Sequence, residues 1–112
     1  MKSYTDISQS KKLEEILPLE SADMYWFRDD TEIPKIFPKD MMKDSVSVTL
    51  ACWSLAALLN TVPYAGIVHT AFGWRCDIYE RNGIVIKYGD YARSPIDACY
   101  EMILKLNELN LL

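Results

Sequence analysis

His69 and Cys76 are the two side chains whose types and spacing point to nucleophilic chemistry. A thiol beside an imidazole is a nucleophile with its base attached. A two-residue loop at Phe72-Gly73 would make them cross-strand neighbours. Such a pair also needs a group that orients the imidazole, and no third residue stands at a recognisable spacing. The expectation is a structural cysteine in a sheet beside a histidine, with no catalytic residue.

Metal chemistry has no better footing. Cys52, Cys76 and Cys99 lie far apart in the chain, there is no C-x-x-C, and only one His is available. A structural zinc site needs closely spaced ligands. Asp29, Asp30 and Glu32 lack the fixed spacing and central glycine of a calcium loop. Gly66, Gly73, Gly83 and Gly89 form no phosphate-cradling motif and read as turn or strand-edge glycines. No metal and no cofactor are expected.

Aromatic residues are the richer signal. The chain has three Trp and seven Tyr. Trp74, Tyr79, Tyr88 and Tyr91 lie close in sequence to Arg75, Arg81 and Arg93. Tyr, Trp and Arg are the residue types that anchor protein interfaces. These seven are the candidate interaction surface; the competing reading is that the rings fill a core.

The elements that must position them are legible at the C-terminus. Trp74, Cys76 and Ile78 alternate with Arg75, Asp77 and Tyr79, which is the period of a strand. Ile84, Ile86 and Tyr88 alternate with Val85, Lys87 and Gly89. A three-residue Arg81-Asn82-Gly83 loop pairs Ile78 with Ile86 and Cys76 with Tyr88, giving one apolar face. A two-residue loop would flip every side chain. Ser94, Pro95 and Asp97 then mark a helix start. Ala98, Cys99, Met102, Ile103, Leu106 and Leu109 share its apolar face.

Upstream, residues 5–17 read as a helix with Asp6 and Gln9 at capping-box spacing, stopped by Pro18. Met24 to Phe27 reads as a short strand. Residues 28–48, charged and interrupted by Pro34 and Pro38, read as an irregular loop. Leu50 to Asn60 reads as a second helix, apolar nearly all round, and so buried or at an interface. Gly66 to Ala71 reads as another strand. The predicted order is α-β-(loop)-α-β-β-β-α in a single domain over 1–112. The predicted fold class is α+β, with helices packed on an antiparallel sheet of three to four strands.

The 112 residues suffice for one core. Half are hydrophobic and a quarter charged, a globular composition. The net charge of −4 argues against a nucleic-acid backbone binder, although the terminal α-β-β-β-α order is shared with double-stranded-RNA-binding domains. An odd number of cysteines in apolar settings fits a reduced, cytoplasmic protein. The best apolar run, Leu50 to Leu59, falls short of the ~20 residues that span a bilayer.

Four stretches resemble a known group. They are Thr5 to Leu13 continued by Ile16 to Met24; Cys52-Trp53-Ser54-Leu55-Ala56-Ala57-Leu58-Leu59; Gly73 to Asp77; and Pro95 to Cys99 continued by Met102 to Leu109. Together they are similar to a group of small proteins encoded by gut Bacteroidales and their phages or other mobile elements. That resemblance implies a genomic setting and a fold of its own. It brings no activity, cofactor or site residue with it.

The function expected is a non-enzymatic binding or accessory protein, acting on an unknown protein partner or as a homo-oligomer. One alternative is an acidic inhibitor of a host nucleic-acid-binding system, favoured if Asp77, Asp90, Asp97, Glu101 and Glu108 cluster on one face. The other is an enzyme using Cys76 and His69.

Overall fold

The computed structural model describes residues 2–28, 34–38, 49–62 and 64–112. The elements are α1 (Ile7–Glu14), β1 (Met24–Arg28), β2 (Pro34–Pro38), β3 (Thr49–Cys52), α2 (Leu55–Thr61), β4 (Ala65–Thr70), β5 (Gly73–Tyr79), β6 (Val85–Lys87) and α3 (Pro95–Glu108), with a 3-10 turn at Leu19–Ser21. The fold is α+β with antiparallel pairing and helices packed on the strands, as the sequence predicts. The strands divide into two sheets, ordered β2-β1-β3 and β4-β5-β6. No described helix is long and apolar enough to cross a membrane.

α1 begins where its capping box places it. Asp6 accepts from the Gln9 N–H at 2.8 Å, and the Gln9 side chain accepts from the Asp6 N–H at 3.1 Å. Thr5 is not helical. It is fully buried, donates its N–H to the Trp53 carbonyl at 2.9 Å and accepts the Trp53 N–H on its hydroxyl at 3.1 Å. The chain start is thus pinned to the segment that follows β3.

That segment corrects the expected helix over 50–60. Leu50, Ala51 and Cys52 pair with Trp26, Tyr25 and Met24 as strand β3. The helix starts only after Ser54, whose hydroxyl accepts the Ala57 N–H at 3.2 Å. A short apolar run satisfies either period, so the cap residue decides the boundary. At the edge of the sheet, the Ala51 N–H donates to Glu14 at 2.7 Å.

The expected 28–48 loop falls largely on residues 29–33 and 39–48, which lie outside those described. Between them Pro34–Pro38 is a strand rather than a break. Its two prolines occupy the ends of an edge strand, where a missing donor costs least.

In the second sheet the β4–β5 turn is Ala71-Phe72, because Thr70 pairs with Gly73. The predicted turn was one residue later. The next loop is Arg81–Gly83 as predicted: Glu80 donates to the Ile84 carbonyl at 2.7 Å, and Gly83 has φ 89°. Tyr79 then pairs with Val85, but the register slips at once and Ile78 meets Lys87, not Ile86. Ile86 is the extra residue of a bulge. A further residue is gained before Ala92 bridges Trp74. The predicted apolar face of Ile84, Ile86 and Tyr88 is therefore not built; all three are exposed.

α3 matches its prediction. The Asp97 N–H donates to Ser94 Oγ at 3.1 Å, and Ala98, Cys99, Met102, Ile103 and Leu106 are buried. Leu109 is not part of the stripe; it follows the helix and is 51 % exposed. One apolar cluster joins Leu13, Trp53, Leu58, Cys76, Ile78 and the α3 stripe, so α1, α2, α3 and the second sheet share it.

Candidate interaction surface

β5 alternates, and its two faces have separate fates. Trp74, Cys76 and Ile78 turn toward α3 and the apolar cluster. Arg75, Asp77 and Tyr79 turn the other way. On this outer face Asp77 is only 1 % exposed. Its carboxylate accepts Arg75 Nε at 2.8 Å and Arg75 Nη2 at 2.9 Å, and takes the Gly89 N–H at 3.0 Å. Gly89 approaches so closely that a Cβ there would lie 2.2 Å from the Cys76 carbonyl oxygen.

The pinned guanidinium stands between two rings. Its carbon is 5.0 Å from the Tyr88 centroid and 5.6 Å from that of Tyr91, within cation–π range. Nη1 donates to the Tyr91 hydroxyl at 3.2 Å. Phe72, at the β4–β5 turn, adds its ring 5.8 Å from that of Tyr91. Phe72, Tyr88 and Tyr91 are 81 %, 62 % and 48 % exposed. The cluster is continuous and solvent-facing.

The seven predicted surface residues do not all share this face. Arg75, Tyr88 and Tyr91 form its centre. The Tyr79 ring lies over Gly66 on β4. Arg81 donates Nε to the Tyr64 hydroxyl at 3.0 Å, beside the hairpin loop. Arg93 is exposed. Trp74 belongs to the opposite face, stacked on His69 at 4.0 Å. Sequence reasoning missed Phe72, Asp77 and Gly89 as members. Asp77 carried a usable signal, a carboxylate two residues from an arginine on the same side of a strand.

His69 and Cys76 are not opposite one another. His69 pairs with Trp74 and Cys76 with Ile67, a consequence of the one-residue shift in the turn. His69 is exposed, whereas Cys76 is fully buried against α3, where it meets Cys99. The neighbouring Cys76 thiol, followed by burial, pushes the Cys99 thiol far up. Burial is also the main cause that raises Cys52.

The five acids of the inhibitor reading do not form one bare face. Asp77 pairs with Arg75, Asp90 with Lys105 at 2.7 Å, and Asp97 with Lys2 at 2.8 Å. Among the described residues, no group of three or more His, Cys, Asp or Glu could hold a metal ion. Asp29, Asp30 and Glu32 lie outside them. Two open depressions of ≈ 680 and ≈ 660 Å³ border α2 and the 3-10 turn, and neither is lined by His69, Cys76 or the aromatic–arginine set. Comparison of the chain with protein-family models, curated proteins and solved structures finds no match.

Proposed function

We propose that this protein is a non-enzymatic binding module that docks a protein partner on the outer face of the β4-β5-β6 sheet, as a cytoplasmic accessory protein of a mobile element. One observation carries the docking. Phe72, Tyr91, Arg75 and Tyr88 form a contiguous exposed cluster whose charged member is already held in place. Aromatic and arginine side chains supply most of the energy at protein interfaces. Groups ordered before binding lose less entropy when the partner arrives. The three buried, unpaired cysteines suit a reducing compartment.

The test is a photo-cross-linking residue in place of Phe72, in cells that carry the protein. Discrete adducts with a polypeptide are expected, and Tyr88→Ala with Tyr91→Ala should abolish them. No adduct, or adducts that persist in the double variant, would overturn the reading.

A further inference from the structure

We infer that the centre of this face is a carboxylate-binding site, and that the docked partner presents an acidic polypeptide segment to it. The inference rests on the docking reading above and names the chemistry of its occupant. A guanidinium has five N–H donors. Among the described residues Arg75 uses Nε and one Nη2 hydrogen on Asp77, and one Nη1 hydrogen on Tyr91. One donor on each terminal nitrogen is left. Donors left on the terminal nitrogens of a guanidinium can bind a carboxylate.

Tyr91 adds a third donor. Its oxygen accepts from Arg75, so its own hydrogen is free to point outward. The exposed rings of Tyr88 and Tyr91 near Arg75, with Phe72 beside Tyr91, add apolar surface for the neighbouring side chains of the segment.

The local charge favours the same occupant. Between Phe72 and Arg93 stand Arg75, Arg81, Lys87 and Arg93 against Asp77, Glu80 and Asp90, a net charge of +1 in a chain whose total is −4. Asp77 and Asp90 are already engaged by Arg75 and Lys105, while no described carboxylate pairs with Arg81 or Arg93. A nucleic-acid strand is disfavoured. Asp77 bound to Arg75 leaves the central ion pair neutral, which suits a single carboxylate better than a run of phosphates. The β6 edge is also a poor template for strand addition, being short, bulged and carrying Lys87. The occupant lies across the face.

The test is an NMR titration of the intact protein, following Arg75 Nε–Hε and the Tyr91 amide. The probe is an acetylated, amidated pentapeptide of alternating Glu and Leu, used up to millimolar concentration. The controls are its Gln–Leu and Lys–Leu counterparts, inorganic phosphate and an oligothymidylate. The Glu peptide should give saturable shifts at both probes and bind at least tenfold more tightly than any control. Tyr91→Phe, which keeps the ring and loses only the hydroxyl, should weaken it several-fold. The double variant Arg75→Gln with Asp77→Asn, which leaves no buried carboxylate without its cation, should abolish it. Equal binding of the Gln peptide, tighter binding of phosphate or oligothymidylate, shifts that map elsewhere, or no shift at all would each overturn the site. Should Phe72 cross-links depend on Tyr88 and Tyr91 while the Glu peptide shows no preference, the docking face stands and the carboxylate site falls.

Discussion

The Asp77 carboxylate accepts the Arg75 guanidinium 2.8 Å from Nε, and the residue is only 1 % exposed. A strand position that faces outward would ordinarily carry an exposed or neutral side chain. Here the acid is buried, and every buried side-chain polar atom among the described residues has a partner. Its effect is to fix where Arg75 points, and so to fix the two tyrosine rings that flank it.

Asp77→Asn should show this directly. The amide keeps the shape but replaces a charge-assisted acceptor, so both Arg75 and the Gly89 N–H lose a strong partner. A loss of roughly 1–2 kcal/mol is expected, at the low end for a buried charged network because Arg75 keeps contact with water. Urea unfolding measures the loss, and the Tyr88 and Tyr91 ring resonances should broaden as the guanidinium is released. Unchanged stability and unchanged rings would remove the positioning role of Asp77.

Gly89 and Gly83 should separate two meanings of glycine. A Cβ on Gly89 would strike the Cys76 backbone oxygen, which cannot yield as a flexible side chain does. Gly89→Ala should cost about 2 kcal/mol or more by forcing the strand apart. Gly83 has φ 89° with open space around it, so Gly83→Ala should cost only the backbone strain of about 1 kcal/mol. Thermal unfolding of both variants checks the order, and a reversed order would contradict the close approach of Gly89 to β5.

The parts legible in the sequence were those set by local chemistry. Ser94-Pro95-Ile96-Asp97 specifies α3 because a cap, a proline and a dipole-matched acid act within one turn. Asp6 and Gln9 specify α1 in the same way. The misreadings concern features that local pattern leaves open. Leu50 to Cys52 fits a helix or a strand equally, and only its pairing with β1 decides. Ile86 looks like the core residue of a hairpin, yet the bulge ejects it and puts Tyr88 over Arg75 instead. The candidate surface was half legible: residue types pointed to Arg75, Tyr88 and Tyr91, whereas Trp74 was assigned by proximity in sequence and lies on the other face. A one-residue change of turn was enough to separate His69 from its expected place opposite Cys76.

The thiols offer a simple check of the core. Cys52, Cys76 and Cys99 are all fully buried. Thiolate is the reactive form, and burial keeps both water and reagents away. At neutral pH iodoacetamide should label none of them at the rate of a free thiol, and labelling should accelerate only as denaturant opens the fold. Rapid modification of Cys76 in the native protein would instead revive the catalytic reading of that residue.

Acid should weaken the contact between the chain start and α3. Lys2 donates to Asp6 at 2.9 Å and to Asp97 at 2.8 Å, and the Gln9 side-chain amide donates to Asp97 at 2.7 Å. Burial works to raise the Asp97 carboxyl, but the hydrogen bonds from Lys2, Gln9 and Ser94 outweigh it and hold it below the ordinary value of 3.8. Asp6 is lowered likewise, burial being overcome by the Gln9 N–H and Lys2. A carboxylate depressed in the folded state stabilises fully above its unfolded value, and that stability is lost as pH falls through the folded value. Lys2 is shifted up, because its two acids overcome the effect of burial, so its share is present at neutral pH and lost only in strong alkali, above its ordinary value of 10.5. Unfolding free energies measured from pH 7 to pH 2 should therefore begin to fall near pH 5 and steepen below about pH 4. Asp97→Asn should be less stable than the parent at pH 7, and the gap should narrow as pH falls through this range. A gap that stays constant to pH 2 would mean that the ionised Asp97 contributes nothing through Lys2, and that the chain start is held by Thr5 and Trp53 alone.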